Sequence, residues 1–189
     1  MEDFHATELA VAWRAFGKFR PVLCSRRTKF EVKLKLFDAV VTPAALYGSE
    51  GLTLTGDMAR ELRTVWRRML RTMLAPARQP EETWVDYIQR STRLIEAHAA
   101  QSGHCSWEIL PKSRKWKFAG EISRSNVGKW STRLLSWRPF FRCMPYRRAG
   151  RPVTRWTDDL EKLAGGNWRA TAQDENAWMI LAHGFSTGI

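Results

Sequence analysis

Cysteine is scarce. The three in 189 residues, Cys24, Cys105 and Cys143, are odd in number, far apart and never in a Cys-x-x-Cys pair. That rules out a disulfide framework, and a reducing compartment is the simpler expectation. His98, His104, Cys105 and Cys143 match no standard zinc spacing, so neither a metal nor any other cofactor is expected. No run of 18 apolar residues exists, and the acidic start, Glu2-Asp3, is unlike a signal peptide. Membrane spanning and secretion are not expected; an intracellular, nuclear or ribonucleoprotein-associated location is. There is no internal repeat and no low-complexity tract.

Acidic residues are scarce in one place above all. The chain has 31 Lys and Arg against 19 Asp and Glu, a net charge of +12. From Lys112 to Arg155 there are thirteen Lys or Arg and one acid, Glu121, so this stretch carries the entire excess. Charge concentrated in this way implies a polyanionic partner: nucleic acid first, an anionic membrane surface a weaker alternative. What is abundant is tryptophan, with ten residues, which implies a packed core rather than a disordered chain.

Apolar spacing points to helices throughout. Leu9, Ala12, Trp13, Phe16 and Phe19 share a face over Thr7–Phe19, with a basic connection over 20–29 begun by Pro21. A second helix is expected from Lys29 to Val41, with a stripe of Val32, Leu36, Phe37 and Val40 and with Lys29, Lys33 and Lys35 away from its centre. The segment after Pro43 reads as a turn with a short extended piece, LTLT, at 52–55. The strongest signal is Met58–Leu74, where Met58, Leu62, Val65, Trp66, Met69, Leu70, Met73 and Leu74 form the stripe. Arg60, Arg63, Arg67, Arg68 and Arg71 cover its other side; Arg63, Arg67 and Arg71 form a candidate phosphate-contacting face, or simply a solvated one. Pro80 opens a further helix, with Trp84, Val85, Ile88 and Ile95 inward. Beyond a linker, short helices are expected at 115–124, 130–137, 154–164 and 171–182, with Gly165 and Gly166 at a helix end.

The stretch YRRAGRPVTRWTDD at 146–159 admits two sharper readings. Paired aspartates after an aromatic residue suggest a polymerase site, which needs a strand context and a third Asp. Here Trp156, Leu160, Leu163 and Ala164 keep helix spacing, so Asp158 and Asp159 fit the first turn of a helix, and Thr154 or Thr157 its cap. The Gly-Arg-Pro core suggests a minor-groove hook, but Ala149 stands where its first arginine belongs. A basic loop whose arginines follow a phosphate backbone fits better. No catalytic residue is expected. The candidate nucleic-acid-binding residues are Lys112, Arg114, Lys115, Lys117, Arg138, Arg142, Arg147, Arg148, Arg151 and Arg155, with Phe141 and Tyr146 as candidates for base stacking.

Several blocks, in register and in order, resemble one family. KLKLFDAVVTPAALYGSEGLTLT at 33–55 looks like the segment after the polymerase palm in reverse transcriptases of LINE-type retrotransposons. RELRTVWRRMLRTML at 60–74 resembles the family's next helix. RKWKFAGEISRS at 114–125 is similar to its Trp-x-Gly-His helix, with Glu121 where the family usually has His. GRPVTRWTDDLEKLAGGNWRATAQDENAW at 150–178 resembles its C-terminal signature. The resemblance covers roughly 7–185 and implies an all-α chain: a helical thumb-like domain over 1–104, a linker over 105–111 and a basic helical module over 112–189. It implies a thumb that grips primer–template and a region that helps hold RNA and target DNA. The palm with its catalytic aspartates and the endonuclease have no counterpart, so the chain reads as a fragment, inactive alone as an RNA-directed DNA polymerase. RNA, DNA and the absent palm of a parent polyprotein are the expected partners, with no membrane among them. The alternative is a degenerate or domesticated remnant serving as a structural or protein-interaction module.

Overall fold

The computed structural model describes residues 2–125, 129–136 and 155–187. Among these the chain is all-helical, with ten α-helices and no strand. No described helix is long and apolar enough to cross a membrane. The described residues form two compact units, one from Met1–Ser49 and Leu54–Pro111, the other from Glu50–Thr53 and Lys112–Ile189.

In the first unit, α1 (Glu2–Leu23) buries Leu9, Ala12, Phe16 and Leu23. It runs one turn further than Pro21 predicts. Proline lacks an N–H and crowds the carbonyl four residues back. That carbonyl belongs to Gly17, which is exposed. Leu23, fully buried, anchors the extra turn, and the Cys24 N–H closes it on the Arg20 carbonyl at 2.8 Å.

Helix α2 (Phe30–Val40) turns a different face inward than its apolar spacing suggests. Leu34 and Phe37 are buried with Lys33, while Val32 is exposed. The reason is long-range: Lys33 Nζ donates to the Met73 carbonyl at 3.0 Å. That oxygen is among the orphan acceptors at the end of α4 (Gly56–Leu74), where the helix dipole also favours a cation. The expected turn after Pro43 holds α3 (Thr42–Ala45), with Pro43 in its first turn, and a 3-10 turn at Ser49–Gly51, while LTLT at 52–55 is irregular and ends at Thr55, the cap of α4. Four alternating residues without a strand to pair with cannot make a sheet.

Helix α4 starts where the Thr55 hydroxyl accepts the Met58 N–H and ends at Ala75 in the left-handed region, before Pro76. Leu62, Trp66, Met69, Leu70 and Met73 are buried, each contributing roughly 1.5–3 kcal/mol on leaving water. Helix α5 (Trp84–Gln101) packs along α4 and buries Ser91, Ile95 and Ala99. Trp84 and Val85, expected inside, are exposed. They occupy the first turn, set by Thr83, whose hydroxyl accepts the Asp86 N–H and donates to its carboxylate. That turn lies ahead of the first buried α5 residue, Ser91. Trp107 completes this core, stacked on Phe37 at 5.5 Å with its indole N–H donating to Thr42 Oγ1.

The second unit is built around tryptophan. Helix α6 (Leu110–Arg124) supplies Trp116, and α10 (Glu175–Thr187) supplies Trp178. Their rings stack at 3.8 Å, and each indole N–H donates to the other's backbone carbonyl at 2.9 Å. Gly120, one turn after Trp116, makes room for Trp178: a Cβ there would lie 2.7 Å from the indole nitrogen. Helix α7 (Trp130–Ser136) is short; α8 (Asp158–Ala164) and α9 (Trp168–Thr171) bring Leu160 and Trp168 to the same core. The expected helix over 171–182 is divided. Thr171 ends α9, and Asp174 starts α10 by accepting the Asn176 and Ala177 N–H groups.

Candidate nucleic-acid interface

A helix with both an apolar face and basic residues must send the basic ones somewhere. On α6, Lys117 is exposed and Lys112 and Arg114 are half-buried, but Lys115 lies beside Trp116 on the buried side, only 2% exposed. Its ammonium sits 2.7 Å from both carboxylate oxygens of Asp159 and 5.0 Å from the Trp156 ring centre. Burial pushes the Lys115 pKa down, while the hydrogen bond and charge of Asp159, and then the charge of Asp158, pull it up. A lysine placed in this way holds α6 to α8 rather than reaching for phosphate.

The Trp-Thr-Asp-Asp run is accounted for residue by residue. The Trp156 indole N–H donates to the Glu50 carbonyl at 2.8 Å. Asp158 Oδ2 accepts the Arg155 N–H at 2.8 Å, closing the turn ahead of α8, where Thr157 makes no side-chain cap bond. Asp159 is the counter-ion of Lys115. Other described residues of the 155–178 stretch are structural too. Gly165 takes φ 82° at the end of α8, Trp168, Ala172 and Trp178 fill the core, and Asp174 caps α10. The Arg124 guanidinium donates to the Ala172 carbonyl at 2.8 Å, closing α6 on the end of α9.

On α4 the arginines have protein partners within the first unit. Arg63 lies 3.5 Å from Glu108. Arg67 Nε donates to Glu96 at 2.7 Å, and Arg71 donates to Ser91 and Thr92 of α5 at 3.0 and 2.9 Å. The Arg68 guanidinium lies over Trp13 at 5.4 Å. Three of these arginines thus tie α4 to its neighbours, and the candidate phosphate face is engaged within the fold. The Glu82 carboxylate holds Arg90 with two bonds, at 2.7 and 2.9 Å, which brings its pKa down to about 2.

Arg155 is exposed. Arg138, Arg142, Arg147, Arg148 and Arg151, with Phe141 and Tyr146, lie outside the described residues. No group of three metal-ligating side chains occurs among the described residues. His98 packs edge-on against Phe30, and His104 pairs through Nδ1 with Asp38, whose other oxygen accepts the Thr42 hydroxyl at 3.0 Å. Two features escaped the sequence reading: the docked ammonium of Lys33, and Trp130, whose ring is 75% exposed at the start of α7. The signal for Trp130 was its setting between Lys129 and Arg133.

A Caenorhabditis elegans protein described as transposon-derived and uncharacterized is 28% identical over 194 aligned residues. The match takes in 96% of this chain and 64% of that protein, so the chain spans about two thirds of its relative's length. No family model and no solved structure matches the chain. The likeness supports a transposon-derived origin.

Proposed function

We propose that the chain is the thumb and post-thumb portion of a LINE-type reverse transcriptase and that it holds RNA or DNA through phosphate contacts without catalysing a reaction. The observation that carries this reading is the charge: a net +12 confined to 112–155, with Lys117 and Arg155 exposed at either end of the region. The block-by-block resemblance and the transposon-derived relative agree with it. Asp158 and Asp159 are committed to a helix start and a buried ammonium, so the chain is expected to have no polymerase activity by itself. The palm of a parent polyprotein is the protein partner this reading supplies.

The test is a salt titration of binding to RNA and to duplex DNA. Binding through phosphates falls linearly in log affinity against log salt, with a slope of about −0.7 per contact on single strands and about −0.9 on duplex. Removing Arg147, Arg148 and Arg151 together is expected to reduce the duplex slope by about two to three units with base preference unchanged. Absence of binding at low salt would refute the proposal and favour a protein-interaction module.

A further inference from the structure

The second unit treats its tryptophans unequally. Trp116, Trp168 and Trp178 are buried, and the Trp156 indole is bonded to a carbonyl. Trp130 alone among the described tryptophans of this unit stands in solvent, 75% exposed. Leaving so large a ring in water forgoes the burial that the other indoles gain. Lys129 stands exposed beside it, and the Arg133 guanidinium lies over the ring, 5.3 Å from its centre. All three belong to the stretch that carries the chain's net charge.

We infer that Trp130 is a stacking platform for an unpaired base, with the exposed Lys129 beside it receiving a phosphate. This deepens the proposed function and rests on it: it selects single-stranded nucleic acid as the ligand of this part of the surface. Every base has a π-face, so an exposed indole among cations takes any base without sequence preference. In duplex the same faces are already stacked, and an indole gains nothing there. Trp84 is also exposed, but Glu81, Glu82 and Asp86 lie within three residues of it, whereas no acid lies within three residues of Trp130.

The experiment measures the 189-residue chain against fluorescently labelled oligo-dT and a duplex of equal length, at one fixed salt, by anisotropy. Trp130→Ala is expected to weaken single-strand binding roughly 5- to 150-fold, the range for one stacked base. Duplex affinity is expected to stay within about twofold and the salt slope to remain the same, since the phosphate contacts are untouched. Trp130→Phe, which keeps a ring, is expected to retain most of the single-strand affinity. Oligo-dT is also expected to quench the indole emission that distinguishes wild type from Trp130→Phe, a readout that holds even if the alanine variant loses helix by circular dichroism. The inference is overturned if Trp130→Ala binds oligo-dT like wild type, if it loses both ligands equally, if the wild-type chain binds duplex alone, or if that emission is not quenched. A wild-type chain that binds neither ligand sinks the proposed function as well, a result distinct from an unaffected Trp130→Ala.

Discussion

Gly120→Ala isolates the tryptophan pair at the centre of the second unit. In an open helix the change is favourable by about 0.8–1.0 kcal/mol, because alanine orders more cheaply than glycine. At Gly120 the new methyl would lie 2.7 and 2.8 Å from two atoms of the Trp178 indole and 3.1 Å from the Arg124 guanidinium. Arg124 can shift only by straining its bond to the Ala172 carbonyl, and Trp178 cannot move, because its ring is stacked on Trp116 and both indole N–H groups are bonded across the pair. Overpacking of this kind costs about 1–3 kcal/mol, and disturbing two buried hydrogen bonds adds about 1 kcal/mol each. After the helix gain is subtracted, a net loss of about 2–4 kcal/mol remains. In a unit of this size each kcal/mol moves Tm by about 4–8 °C. The matched control is Gly17→Ala in α1, where nothing lies within 4 Å of the new methyl and a gain of about 0.5–1 kcal/mol is expected. Thermal melts followed by near-ultraviolet circular dichroism, which reports the packed indoles, measure both. If Gly120→Ala were as stabilising as Gly17→Ala, the interlock would not constrain the fold and the reasoning would be wrong.

Trp66→Ala and Met69→Ala are each expected to cost roughly 2–5 kcal/mol in urea denaturation, as truncations of buried side chains on α4, whereas Val32→Ala at an exposed site should cost little. Asp159→Ala is expected to destabilise more than Lys115→Met, because Lys115 is buried and would lose its counter-ion while the half-open Asp159 can turn to water; equal losses would mean that the pair is solvated. Glu82 titrates well below its usual 4.5, so its contribution is complete above about pH 4.5 and is lost as the pH falls toward about 2; Glu82→Gln should flatten the acid limb of stability against pH.

The parts legible in the sequence are those that local spacing decides. The α4 stripe, eight apolar residues in helical phase, gave that helix to within two residues of its start. The helical role of Asp158 and Asp159 followed from the spacing of the residues after them. The parts that were not legible depend on partners distant in the chain. Lys33 counts as polar in any periodic reading, yet the end of a helix forty residues later draws it inside. Lys115 belongs to the most basic stretch, and only Asp159, forty-four residues on, makes it a core residue. Trp84 and Val85 show the converse: apolar residues whose phase points inward, but whose turn precedes the packed part of the helix.

The hydrogen bond from Trp156 to Glu50 has a practical consequence. Residues 50–53 belong with 112–189, although they are flanked on both sides by sequence of the other unit. No single cut therefore yields both units whole. A fragment begun at 112 would leave the Trp156 N–H without its carbonyl, a deficit of about 1–3 kcal/mol if no water reaches it. Anyone dissecting the chain, or seeking a shorter version of it by recombination, would have to carry the 50–53 peptide along with the C-terminal helices.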